Sequence, residues 1–218
     1  MNLKPSLTIL FLVAVVGCNA ESTNNNKINS TLDVEKHNNT TPTQQKSISI
    51  DDSLKRFSET LNQKDPSKFI SLANPQGINL VRIFTSGNLG SRGAPLSQTI
   101  NPTTVTNEIT FSVEGQTAFN VPAMFPSLPI SSFQEVVHQK LQMPSNIPAY
   151  DQWTPILINS LKNTPEIENG APIILASDKG DYWVFADAQI IDDILVGGFA
   201  IFTIHNNTLK LTAIIELL

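Results

Sequence analysis

Cysteine is almost absent: Cys18 stands alone in 218 residues. With one thiol the chain forms no intramolecular disulfide and builds no cysteine-based zinc site. The short signatures of hydrolytic chemistry are missing as well. No Gly-x-Ser-x-Gly, His-Glu-x-x-His or Ser-x-x-Lys occurs, so neither a serine nucleophile nor a zinc-bound water has its usual sequence frame. No Gly-Lys-Ser/Thr follows a glycine loop, which excludes a P-loop. The glycine stretch at 87–93 runs into Pro95 instead of a clear helix, which excludes a dinucleotide fingerprint. No cofactor is therefore expected. EF-hand spacing is absent too, and there is no internal repeat.

Positive charge is scarce in the second half. Residues 141–218 carry nine acids against three lysines, a local net of −6 that exceeds the whole chain's −5. A surface of that sign repels phosphate backbones, so nucleic acid is not an expected partner. Asp178, Asp181, Asp192 and Asp193 fall at turns and read as solvated acids rather than a cation site.

What is present begins at the first residues. Lys4 gives a short positive tip, Leu7 to Val16 (LTILFLVAVV) is apolar, and polar sequence starts at Asn19. That order describes an export signal. The run is too short to span a bilayer, which needs about 20 apolar residues. Val15-Val16-Gly17-Cys18 resembles the bacterial lipobox: an aliphatic residue, a tolerant position, a small residue, then cysteine. The resemblance implies a signal peptide at 1–17 and a diacylglyceryl thioether on Cys18. It also implies cleavage just before that residue and acylation of the new amino group. The partner it implies is a membrane outside the cytosol. Asn19, not being the aspartate associated with inner-membrane retention, favours the outer membrane of a two-membrane cell. In a single-membrane cell the domain faces the exterior. Cys18-Asn19-Ala20 also fits an ordinary A-x-A-like cleavage site, which releases a soluble protein from Glu21.

Residues 18–47 form the next unit, rich in Asn, Thr, Gln, Ser and Lys, without glycine or aromatics from Glu21 onward. Such a composition buries too little apolar surface to offset chain entropy. It reads as a disordered tether holding the domain roughly 30 Å from the membrane.

Residues 48–218 suffice for one domain. Leu54, Phe57 and Leu61 mark an amphipathic helix, with Asp51 and Asp52 at its N-terminus. Asp65-Pro66 opens a second, and Asn74-Pro75-Gln76-Gly77 is a turn. Ile78 to Thr85 is a strand. A hairpin is expected from Glu108–Val113 and Ala118–Val121. Ser132-x-x-Glu135 has capping-box spacing, predicting a helix with Phe133, Val136, Val137 and Leu141 inward and His138 on it. Gln152–Lys162 is a further short helix. Ile173–Ala176, Tyr182–Gln189, Phe199–Ile204 and Thr208–Leu217 are strands, with Phe199–Ile204 central and the last wet on one face. The fold class is α+β: N-terminal helices packed on a curved, mainly antiparallel sheet that ends in a C-terminal meander. This element order resembles NTF2-like cones, which implies an open mouth lined by aromatics. Leu80–Gly93 (LVRIFTSGNLGSRG) resembles a segment of uncharacterised bacterial lipoproteins, which implies no activity.

Two sites emerge. Gly87, Gly90, Ser91, Arg92 and Gly93, with Arg82 on the preceding strand, offer N–H groups and guanidinium to an anion; the simpler reading is a tight loop needing φ > 0. Asp187 shares a strand face with Trp183 and Phe185, as a desolvated acid in a pocket or as the strand's exit into solvent. The function expected is a non-enzymatic, membrane-tethered domain that binds a small apolar ligand or an envelope protein. A hydrolase or isomerase using Asp187, and a structural envelope role, are the alternatives.

Overall fold

The computed structural model describes residues 49–85, 95–128, 130, 133–162 and 164–218. The chain divides into two units, Met1–Gln44 and Gln45–Leu218. The signal peptide, Cys18 and the whole tether lie outside the described residues, as does the glycine loop 87–93.

Helix α1 runs Ile50–Gln63 and buries Leu54, Phe57 and Leu61. It starts where Ser49 Oγ accepts the Asp52 N–H at 3.3 Å and stops at Lys64 in the left-handed region, φ 48°. Helix α2, Pro66–Leu72, follows at once. Asp65 caps it by accepting the Lys68 N–H at 3.1 Å, and Pro66 occupies its first turn. That proline has no N–H to leave unsatisfied there.

The strands are β1 Ile78–Ile83, β2 Leu96–Ile100, β3 Thr110–Phe111, β4 Phe119–Asn120, β5 Val137–Leu141, β6 Ile173–Ser177, β7 Tyr182–Ile191, β8 Ile194–His205 and β9 Thr208–Leu217. Helices α3 (Thr154–Leu161) and α4 (Pro165–Glu168) lie between β5 and β6. Seven strands form one sheet in the order β2-β1-β9-β8-β7-β6-β5; β3 and β4 form a separate small hairpin. All pairs in the large sheet are antiparallel except β1 with β9 and β5 with β6. The fold is α+β, with the expected C-terminal meander β6–β9.

Two of the meander's three turns are two-residue loops. Asp192-Asp193 (φ 49° and 63°) and Asn206-Asn207 (φ 48° and 57°) are both left-handed. Two consecutive residues at positive φ match the twist of the flanking strands.

The sheet is covered on both faces. Leu80, Phe185, Phe202 and Ile214 face a layer containing Leu54, Phe57, Phe69, Phe111 and Phe125. Val184, Phe199, Ile201 and Ile215 face Trp153, Leu157, Leu161 and Ile167. Burying each of these large side chains contributes about 1.5–3 kcal/mol. Phe57 meets Phe125 and Phe202 edge-on, with centroids 5.3 and 5.8 Å apart. Strand β8 is the middle strand, as its two-sided apolar run predicts.

Two expectations are corrected, and one strand is new. The segment after Glu135 is not a helix. One 3-10 turn, Phe133–Glu135, gives way to β5, which pairs parallel with β6 from Val137↔Ile173 to Leu141↔Ser177. Val136 and Val137 are β-branched, and such residues pack well against neighbours on a pleated surface. His138 therefore sits on a strand. Nor does β9 keep one wet face: a bulge at Thr212, set between Ile201↔Ala213 and Phe202↔Leu211, reverses its alternation. Leu211 and Ala213 consequently join opposite core layers, and the buried Thr212 hydroxyl donates to the Ile201 carbonyl at 3.1 Å. Strand β2 was not anticipated; with Ser97, Gln98 and Thr99 exposed, it carries no apolar period.

Candidate functional site

Four neighbouring strands align one row of residues. Asp187 on β7 pairs with Gly198 on β8, Gly198 with Glu216 on β9, and Glu216 with Arg82 on β1. Cross-strand partners project to one face, here the face of Phe185, Leu80 and Ile214. Strands lie about 4.8 Å apart, so Asp187 and Glu216 stand two spacings apart with a glycine between them.

The turn Pro122–Met124 settles onto that glycine. A Cβ on Gly198 would lie 2.2 Å from the Met124 carbonyl oxygen. Three residues beyond Met124, Ser127 reaches Asp187 twice. Its N–H donates to Oδ2 and its hydroxyl to Oδ1, both at 2.8 Å. At the other end of the row Arg82, 3 % exposed, gives its Nε–H to Glu216 at 2.5 Å. Its Nη1 donates to the carbonyl and hydroxyl oxygens of Thr117 at 3.1 and 2.8 Å, and the guanidinium lies 5.1 Å over the Phe119 ring.

Between these fixed points a cleft of about 550 Å³ opens, lined among others by Met124, Ser127, Asn169, Gln189, Val196 and Leu217, with Asp187 and Glu216 as its titratable side chains. That is the size of a small-molecule site.

Asp187 is buried at 6 % exposure, so it is not the strand's exit into solvent; β7 continues to Ile191. Burial raises its pKa above the ordinary aspartate value, opposed by the two hydrogen bonds from Ser127. A carboxyl group whose pKa is raised on folding lends stability below its unfolded pKa, about 3.9. That stability is lost as pH climbs through the folded value. Asp187→Asn keeps both contacts, since its oxygen accepts the Ser127 N–H and its amide donates to a rotated Ser127 hydroxyl. Its thermal stability relative to the parent is expected to improve from pH 4 to pH 7 in differential scanning calorimetry. A gap that stays constant with pH would show that burial does not strain the charge. Asp187→Ala, by contrast, leaves two part-buried Ser127 donors without their acceptor and is expected to cost about 1 kcal/mol for each.

The other sequence-derived residues separate. Arg82 is engaged by Glu216 and Thr117, while Gly87, Gly90, Ser91, Arg92 and Gly93 lie outside the described residues. Phe185 is fully buried and Trp183 packs partly buried against the same core. Neither lines the cleft, because Phe125 covers Phe185 at 5.8 Å. The aromatics close the core; small aliphatic side chains and carboxylates form the cleft. Ser127, Gly198 and Glu216 were not singled out. Their one sequence signal is Gly197-Gly198 inside an apolar run, since glycine within a strand marks close approach of another backbone.

Among the described residues no cluster of three or more His, Cys, Asp or Glu side chains is placed to hold a metal ion, and no helix is long and apolar enough to cross a membrane. Comparison with known protein families, curated proteins and solved structures finds no match to this chain. The resemblance to NTF2-like domains thus stands on element order alone.

Proposed function

We propose that this chain is an exported lipoprotein, anchored through acyl chains on Cys18, whose folded domain binds a small molecule in the cleft beside Asp187 without transforming it. The observation that carries the binding reading is a cleft of ligand size whose two carboxylates are already engaged. Each Asp187 oxygen accepts from Ser127, and Glu216 is held by Arg82. Fixed acceptors suit recognition. A hydrolytic site needs a free base and donors aimed at a developing oxyanion, and here the Ser127 N–H is spent on Asp187. One observation favours the second reading, a hydrolase or isomerase: Asp187 is buried, lines the cleft and bonds a serine hydroxyl, as an acid or base in a pocket does.

The anchor is supported by the lipobox-like tetrapeptide at the end of the apolar run. Two or three chains hold a protein durably, at about 0.8 kcal/mol per buried methylene. Cys18→Ser is expected to move the protein almost wholly from the membrane pellet to the soluble or unprocessed fraction. Mass spectrometry of the parent's mature N-terminus should show the acyl mass. A parent that begins at Glu21 without acyl mass would instead establish ordinary cleavage. For the cleft, native mass spectrometry of the protein from its own cells is expected to show a bound small molecule that Val196→Trp excludes. Steady turnover of that molecule, abolished in Asp187→Asn, would favour the enzymatic reading.

A further inference from the structure

We infer that the cleft selects a small organic cation, an ammonium group on a short carbon body, with the charge seated against Asp187 and the carbons against Met124, Ile191 and Val196. This rests on the binding reading above and names its ligand class.

The charge balance of the row is uneven. Glu216 has its counter-ion in Arg82, whose guanidinium is 3 % exposed and held from beneath by Thr117 and Phe119. Asp187 has none: among the described residues it takes part in no ion pair, and its hydrogen bonds come from the neutral Ser127. Among the described residues no Lys, Arg or His side chain lines the cleft. A carboxylate removed from water without a cation is costly, and each of its oxygens keeps a further lone pair beyond the one Ser127 uses. An ammonium group supplies both the missing charge and the missing donors. The surrounding sequence strengthens the field, since residues 141–218 carry the net −6 noted above. An anionic ligand meets two carboxylates and no free cation here. A neutral one gains the apolar walls and the Asn169 and Gln189 amides but leaves the Asp187 charge uncompensated.

The test compares three probes of equal carbon length on the protein as purified: n-butylamine (cationic at pH 7), n-butanol and butyrate. Binding is read from the methyl NMR signals of Ile191 and Val196, which line the cleft. The amine is expected to bind at least about tenfold tighter than the alcohol, and butyrate weakest. Asp187→Asn, which retains the Ser127 contacts, should bring the amine down to the alcohol's affinity and leave the alcohol unchanged. Equal binding of amine and alcohol by the parent, or a preference that survives in Asp187→Asn, would overturn the cation inference while leaving the cleft as a binding site. If none of the probes moves those methyl signals, the binding reading itself is lost along with the inference.

Discussion

Gly198→Ala is expected to destabilise the domain by about 3 kcal/mol, a large share of the stability of a domain this size. One methyl group has this effect because of what it meets. The added Cβ would lie 2.2 Å from the Met124 carbonyl oxygen and 2.9 Å from the Met124 Cβ. The obstruction is backbone, and it is pinned. The Met124 N–H donates to Val121 at 3.1 Å and the Phe125 N–H to Pro122 at 3.3 Å. Phe125 itself is 1 % exposed between Phe57 and Phe185. Lifting the turn to admit a methyl group would draw Phe125 from the core and pull Ser127 from Asp187. Gly115→Ala is the control. Its φ is +72° but nothing lies within 4 Å of its Cβ, so the expected cost is the left-handed strain alone, about 1–2 kcal/mol. Urea unfolding of both variants measures the difference. A Gly198→Ala midpoint at the parent's urea concentration would mean that the turn Pro122–Met124 does not rest on β8.

Much of the fold was legible because local chemistry and long-range packing agree. Leu54, Phe57 and Leu61 mark α1 at helical spacing, and Asp65-Pro66 starts α2 through a cap and a missing N–H, both readable from adjacent residues. The C-terminal strands were legible for the same reason: each is a β-branched or aromatic run ended by polar turn residues. Agreement failed between Phe133 and Leu141. There the four-residue capping spacing of Ser132 and Glu135 competes with a strand whose stabilising partner, Ile173–Ser177, lies across two helices in sequence. Nor does spacing reveal the bulge at Thr212, since it exists only relative to the register of β8.

The site divides in the same way. Asp187 stood out because a carboxylate that follows two aromatic positions, Trp183 and Phe185, on one strand face is anomalous wherever it occurs. Ser127 and Glu216 did not, because what makes them matter is register. Ser127 is 60 positions from Asp187 in sequence, and Glu216 joins the row only through β8. Trp183 and Phe185 share the strand face of Asp187 without lining this cleft, because alternation reports the face of a strand and says nothing of what covers that face.

The other large effect is expected at the far end of the row. Arg82→Met is expected to cost about 3–5 kcal/mol, because it leaves Glu216 partly buried, at 17 % side-chain exposure, without its counter-ion. Part of the loss falls on the small hairpin as well: Arg82 is what holds the Thr117 carbonyl and hydroxyl, and its guanidinium covers Phe119. Arg82→Lys recovers little, since an ammonium lacks the planar fork that reaches Glu216 and Thr117 together. Glu216→Leu alone leaves a guanidinium buried beside Thr117 and is expected to be similarly costly. The double variant Arg82→Met, Glu216→Leu removes both charges and fills their space with carbon. It should therefore be much more stable than the sum of the single losses, with a coupling of about 2 kcal/mol or more in a double-mutant cycle. The double variant also separates the roles of the two carboxylates. Asp187 and its Ser127 contacts are untouched, so the preference for butylammonium over butanol should persist in the refolded double variant even though half of the cleft's acidic side chains are gone. A coupling near zero would place the Arg82–Glu216 pair in solvent-like surroundings. Asp187 and Glu216 would then be equivalent acids, and the cation preference should fall with the loss of either.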